Sequence, residues 1–216
     1  LKKSYSDWRL DLEHEAPTGG RIMSVRSSDN GKTWTKPVTL FNNELDNGPS
    51  ATFVTKKGTV IQFVNVQASW YGFKEAPPGH QKLNTRQLVV RSTDNGKTWS
   101  KPIWLKSPGN FYERGHGGRP IQLADGGILW ATYYSNKGDR RLFGAIRRSD
   151  DSGKTWPVIS KIVRKDNNID EPAIAQLKDG RLILVTRPDG AVFYSKDKGV
   201  TWKDSGSRVI KKGKFK

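Results

Sequence analysis

The chain has 216 residues, with 38 Lys plus Arg against 21 Asp plus Glu and a formal net charge of +17. It contains no cysteine, which excludes disulfides and thiolate metal sites, and no apolar run reaches the roughly 20 residues that a membrane-spanning helix needs. With 34% hydrophobic residues, the length suffices for one large domain or two small ones whose apolar residues come in short segments.

The basic excess suits a polyanionic partner, and it equally suits a lysine-rich solvated surface. The lysines are scattered over loops and turns, and only the tail KKGKFK concentrates them. The chain opens LKKSYSDW without a Met or an apolar leader, so it is read as processed, trimmed or a fragment.

In chain order, DWRLDLEHE (7–15) is a possible strand remnant, followed by the β-like run RIMSVRS (21–27), the octet SSDNGKTW (27–34) and a second run, KPVTLF (36–41). The pattern then recurs with a hairpin in front of it. SATFVTKKGTVIQFVNV (50–66) leads to RQLVVRS (86–92), the octet STDNGKTW (92–99) and KPIWLK (101–106). RPIQLADGGILWATYY (119–134) leads to RLFGAIRRS (141–149), the octet SDDSGKTW (149–156) and PVISKIV (157–163). PAIAQLKDGRLILVTR (172–187) leads to GAVFYSK (190–196), the octet SKDKGVTW (195–202) and DSGSRVI (204–210).

Each octet reads as a hairpin turn with legible chemistry. Asp at its third position accepts hydrogen bonds from backbone N–H groups within the turn. Gly at the fifth supplies a positive φ. Thr favours the strand that resumes, and Trp offers a large flat surface for packing between units. Each complete unit is four strands, A-B-C-D, with the octet between C and D, which is the make-up of a propeller blade. The fold class is therefore all-β: a propeller of about four blades of four-stranded antiparallel sheet, in one domain. Its boundaries fall at a remnant over 1–48 and blades over about 49–108, 109–166 and 167–210.

Strand parity puts every octet on one face of such a ring. The D→A loops NNELDNGPS (42–50), GNFYERGHGGRP (109–120) and KDNNIDEP (165–172) lie on the other, with the B→C loops that begin QASWYGF (67–73), YYSNKGDRR (133–141) and RPDG (187–190). These loops hold the polar and aromatic groups of a ligand cleft: Arg114, His116, Arg119, Asp170, Glu171 and Arg187, with Trp70, Tyr71, Tyr133 and Tyr134. If residues 178–180 form the last A–B turn, Glu171 falls opposite Arg187, with Cβ atoms roughly 5 Å apart. The same spacing also describes an ordinary ion pair at a hairpin end. Likewise Arg119 is expected at the start of its strand, near Thr132 and Tyr133. No metalloprotease, P-loop or dinucleotide pattern occurs, and no cofactor or metal is expected.

Four in-phase copies of S-x-D-x-G-x-T-W between third and fourth strands resemble the Asp box, or BNR repeat, of the sialidase (neuraminidase) superfamily. The resemblance covers roughly residues 20 to 210 and implies a propeller that is six-bladed when complete. EPAIAQLKDGRLILVTR is similar to the family segment whose glutamate activates a tyrosine nucleophile and whose closing arginine holds the sialic acid carboxylate. It implies those roles for Glu171 and Arg187. GHGGRPIQLADGGILWATYY is similar to the pocket-lining segment of the preceding blade. Arg114, His116, Arg119, Tyr133, Asp170 and Trp70 are the candidate substrate contacts that the loops of this face offer. The family's Arg-Ile-Pro motif is absent before the first octet. The stretch LDLEHEAPTGG supplies Asp11, Glu13, His14 and Glu15, of which Glu15 is the best placed substitute for the acid/base aspartate. The nucleophilic tyrosine and a third arginine come from later blades in the family.

The leading reading is a sialidase-like exo-glycosidase acting on a terminal sialic acid or related acidic sugar, in a secreted or periplasmic setting. The alternative is a non-catalytic Asp-box propeller that binds carbohydrate or protein. A nucleic-acid module is disfavoured, because the aromatic–basic interleaving of single-strand binders is missing.

Overall fold

The computed structural model describes residues 20–43, 46–67, 85–115, 118–139, 141–165 and 167–209. Glu15, Trp70, Tyr71 and His116, the remnant at 7–15 and the basic tail lie outside the described residues. Every regular element among those described is a strand, and no helix there is long and apolar enough to cross a membrane.

Strand β1 (Ile22–Ser24) pairs antiparallel with β2 (Val38–Phe41). Next, β3 (Asp46–Val54), β4 (Val60–Gln67), β5 (Thr85–Ser92) and β6 (Ile103–Trp104) run as an antiparallel meander. The following unit splits its first strand in two. A three-residue strand, β7 (Tyr112–Arg114), and a two-residue strand, β8 (Ile121–Gln122), both pair with β9 (Ile128–Ser135). After β9 come β10 (Phe143–Ser149) and β11 (Val158–Ile162). A parallel bridge from Tyr112 to Thr85 lets β7 join the two meanders into one nine-stranded sheet. The last sheet is a four-stranded meander of β12 (Asp170–Gln176), β13 (Leu182–Arg187), β14 (Ala191–Ser195) and β15 (Lys203–Arg208).

The meanders stack because strands buried on both faces carry apolar residues on both. Ile61, Phe63 and Val89 on β4 and β5 pack against Ile128 and Trp130 of β9, while Val64, Val66, Leu88 and Val90 on the opposite face pack with Ile22 of β1. Leu129, Ala131 and Ile146 meet Ile174, Leu182, Leu184 and Phe193 of the last sheet. Three octet tryptophans close these seams: Trp99 the first, Trp156 the second, with its ring centroid 5.0 Å from that of Phe63, and Trp202 the third. Trp34 departs from the pattern and is 60% exposed.

Each octet closes its own turn. In each, the Ser hydroxyl donates to the Asp carboxylate at 2.7–2.8 Å and accepts the Gly N–H at 2.8–2.9 Å. The same Asp accepts the Thr N–H at 2.9 Å and the Thr hydroxyl at 2.5–2.7 Å. The Thr hydroxyl is the main cause that lowers the carboxyls of Asp29 and Asp197 to about 2. Glycine has the positive φ assigned to it, and so does the residue before it: Asn30, Asn95, Ser152 and Lys198 at φ 57–60°. Asn tolerates that region through its short polar side chain.

The last three octets begin beside the A–B turns, with Ser92 opposite Val60, Ser149 opposite Ile128 and Ser195 opposite Leu182. Lys198 of the last octet reaches Asp125, in the β8–β9 turn, at 2.7 Å, and Gly199 packs on Leu129, Ile146 and Leu182. Asp170 and Arg187 stand at the opposite ends of β12 and β13.

Candidate functional site

The β12–β13 hairpin follows the anticipated register from Ala173↔Val185 to Gln176↔Leu182. At its open end a bulge intervenes, so Asp170 rather than Glu171 is the Cα partner of Arg187. Glu171 occupies the bulge with φ 44°, a conformation that costs a non-glycine residue about 1–3 kcal/mol. The bulge re-aims the side chain, and Glu171 Oε2 meets Arg187 Nη1 at 2.6 Å. Arg187 keeps 61% of its side chain exposed, so its guanidinium is open to a ligand. Burial, then the charge of Glu171, raises the carboxyl of Asp170 above its ordinary value, while Arg187 and Arg114 pull it back.

The second arm of the site is β7. Its register sets Arg114 opposite Tyr133 and Tyr112 opposite Ser135. The Tyr112 and Tyr133 hydroxyls lie 3.4 Å apart, with ring centroids separated by 5.8 Å. Both phenols are pushed up, chiefly by burial, and so stay protonated donors at neutral pH. Arg114 and Asp170 act electrostatically on both tyrosines, and Tyr133 in turn acts on Arg187. Tyr112, Arg114, Tyr133, Asp170, Glu171 and Arg187 thus gather at the ends of neighbouring strands as one candidate mouth, with two guanidinium groups, two carboxylates and two hydroxyl donors. The two cations suit a carboxylate ligand, and the paired rings, inclined at 53° to each other, border it with aromatic surface.

Arg119 is a correction. Arg114, not Arg119, stands opposite Tyr133, because the first strand of this unit breaks between β7 and β8. Arg119 precedes β8, is exposed, and lines a cleft of about 440 Å³ with Pro49, Ser50, Ala51, Thr52 and Gly118. A side chain at Gly118 would meet the Pro172 carbonyl oxygen at 2.6 Å, so this segment rests on β12 below the mouth. Tyr134 also parts from Tyr133: it lies on the other face of β9, its ring 5.4 Å from that of Phe143.

Tyr112 went unnoticed in the sequence, although Tyr-Glu-Arg within GNFYERGHGGRP is the short alternation that puts its outer residues on one face. A further cluster stands beside the mouth, where Asp189 in the β13–β14 turn accepts from Arg164 at 2.8 Å and from Arg208 at 3.1 Å.

A family model described as a BNR repeat-like domain matches residues 19–212. The sialidase of Clostridium perfringens is 28% identical over 204 residues, which cover 84% of this chain and 52% of that protein. The sialidase of Bacteroides fragilis (strain YCH46) is 31% identical over 223 residues, covering 92% and 39%. Among solved structures, the Hadza microbial sialidase Hz136 superimposes with a TM-score of 0.68 at 26% identity, over 88% of this chain and 41% of that one. The chain thus spans about half, or less, of the length of the curated relatives it matches. Its antiparallel sheets are of the sialidase β-propeller type. With the octets, the sheet architecture and the family model in agreement, the chain belongs to the BNR repeat-like domain family of the sialidase superfamily.

Proposed function

We propose that this chain forms part of a sialidase-type glycoside hydrolase that releases a terminal sialic acid or a related acidic sugar. The observation that carries the reading is the 2.6 Å contact of Glu171 with an exposed Arg187, beside Arg114 and the tyrosine pair. Arg187 and Arg114 hold the sugar carboxylate, Arg187 through its open guanidinium face. Glu171, fixed by that arginine, takes up the proton released when a tyrosine hydroxyl attacks the anomeric carbon, while the glycosidic bond breaks and the acid/base residue, Glu15 on this reading, protonates the departing aglycone oxygen. Tyr112 and Tyr133, kept protonated by burial, serve as a wall and as donors rather than as the nucleophile. In the family the nucleophile and a third arginine belong to blades that follow these. Trp70, His116 and Glu15 keep the substrate and acid/base roles that the resemblance implies.

On this reading the stacked sheets are blades of a ring, with boundaries near 48, 108 and 166, closing at six when complete. An enzyme acting on displayed glycans works outside the cytoplasm, where a cysteine-free β core is at no disadvantage.

The test is release of fluorophore from an umbelliferyl sialoside by the full-length protein. Turnover that Glu171→Gln abolishes is the expected result. Binding of free sialic acid without turnover would favour a carbohydrate-binding propeller, and turnover untouched by the substitution would remove Glu171 from the chemistry.

A further inference from the structure

Behind the mouth, the structure buries an ion pair that the proposed chemistry does not use. Glu113, the middle residue of β7, is 0% exposed, and Arg147 on β10 is 1% exposed. They meet as two forks: Arg147 Nε donates to Glu113 Oε1 and Nη2 to Oε2, each at 2.8 Å. Thr132 Oγ1 donates to Glu113 Oε1 at 3.0 Å. The remaining reach of the guanidinium goes to two carbonyls, Trp156 and Lys106, each at 2.7 Å. Burial pushes the Glu113 carboxyl up, against the pull of Arg147.

Stability alone does not explain such a pair. An apolar pair of similar volume in a dry site holds two strands as well or better, because removing both charges from water costs most of what their attraction returns. What a bidentate fork adds is geometry: it sets both the position and the rotation of the side chains. Strand alternation carries that setting onward. With Glu113 held on one face of β7, Tyr112 and Arg114 must stand on the other.

The strand needs such a fastening, since it has three residues and few backbone partners beyond β9. Its β5 edge, bridged by backbone only at Tyr112, is also held by side chains. Gln87 Nε2 donates to the Glu113 carbonyl at 2.8 Å, and Asn65 Oδ1 accepts the Gly115 N–H at 3.5 Å. Because Trp156 belongs to the third octet, its carbonyl ties that octet to the mouth through Arg147.

We propose that Glu113 and Arg147 are a positioning pair that sets Arg114 and Tyr112 for an anionic sugar. This rests on the reading of the mouth given above, and the experiment separates the two. The full-length protein is compared with Glu113→Leu/Arg147→Met, which removes both charges while keeping apolar volume, and with Arg147→Lys, which keeps the charge and loses the fork.

Two quantities are measured: kcat and KM on an umbelliferyl sialoside, and amide hydrogen exchange of the segment spanning 112–115. The proposal expects the folded double variant to raise KM by roughly ten- to a hundredfold, the scale of a small misplacement of binding groups. It also expects a smaller change in kcat, and faster exchange at 112–115 with β13 unchanged. A folded variant with wild-type KM and wild-type exchange overturns it, as does a loss confined to kcat. Should the double variant not fold, Arg147→Lys gives the same comparison. A wild-type protein that turns over no sialoside removes the reading of the mouth, and the exchange result alone then decides whether the pair anchors β7.

Discussion

Arg187 closes on Glu171 across a bulge, Nη1 to Oε2 at 2.6 Å, even though its Cα partner on the facing strand is Asp170. The bulge holds Glu171 at φ 44°, where glycine sits without penalty. Glu171→Gly should therefore leave stability within about 1 kcal/mol of the wild type, lost side-chain contacts being offset by relieved strain. On the proposed function, the same change should lower sialoside turnover by roughly a hundredfold or more, since the proposed base is gone. Thermal unfolding and kcat on one preparation check both halves.

Trp156 and Trp34 hold the same octet position in opposite surroundings, 4% and 60% exposed. Trp156→Ala should cost about 3–5 kcal/mol, as removal of a large buried aromatic does. Trp34→Ala should stay within about 0.5 kcal/mol. Urea unfolding of the two variants reads the difference directly.

The octet carboxylates set an acid limit for the turns. Asp29 and Asp197 titrate near 2, below their ordinary value of 3.8, because Thr, Ser and backbone donors favour the anion. A carboxyl depressed on folding contributes stability that is complete above its unfolded value and lost as the pH falls through the folded one. The turns should accordingly keep their hydrogen bonds at pH 4 and release them as the pH approaches about 2. Carboxyl titration by NMR shows this, and midpoints near 4 for these two groups would refute it.

Gly115 admits no side chain, since a Cβ there would lie 1.7 Å from the Trp130 ring. Gly115→Ala should destabilise by about 1–3 kcal/mol, as overpacking does. It should also weaken sugar binding, because the residue displaced is the one next to Arg114. Calorimetric unfolding and titration with free sialic acid measure the two effects.

Much of this architecture is written locally. The Ser–Asp–Gly–Thr–Trp spacing of the octets dictates a turn whose Ser, Asp and Thr side-chain bonds close within eight residues, and strand order fixes which ends of the sheets the octets occupy. The body of the β12–β13 hairpin was readable for the same reason: its register follows from where the turn falls. Glu171 and Arg187 could be paired from sequence because the bulge displaces Glu171 by one position only.

Beyond that range the chain is silent. The break between β7 and β8 exists because Gly115 must cross Trp130 and Glu113 must find Arg147, contacts between residues far apart in sequence. That break gave Tyr133 to Arg114 instead of Arg119, and it added Tyr112 to the mouth.

By itself, then, the sequence determined the repeated turns, the strands between them and the sheet ends that carry the proposed ligand site, since these depend on φ preferences and strand order over a few residues. Which arginine and which tyrosines share that site was decided only by the packing of one sheet on the next. Buried charges and close-packed rings accept few arrangements, and those arrangements are chosen by partners that no local pattern names.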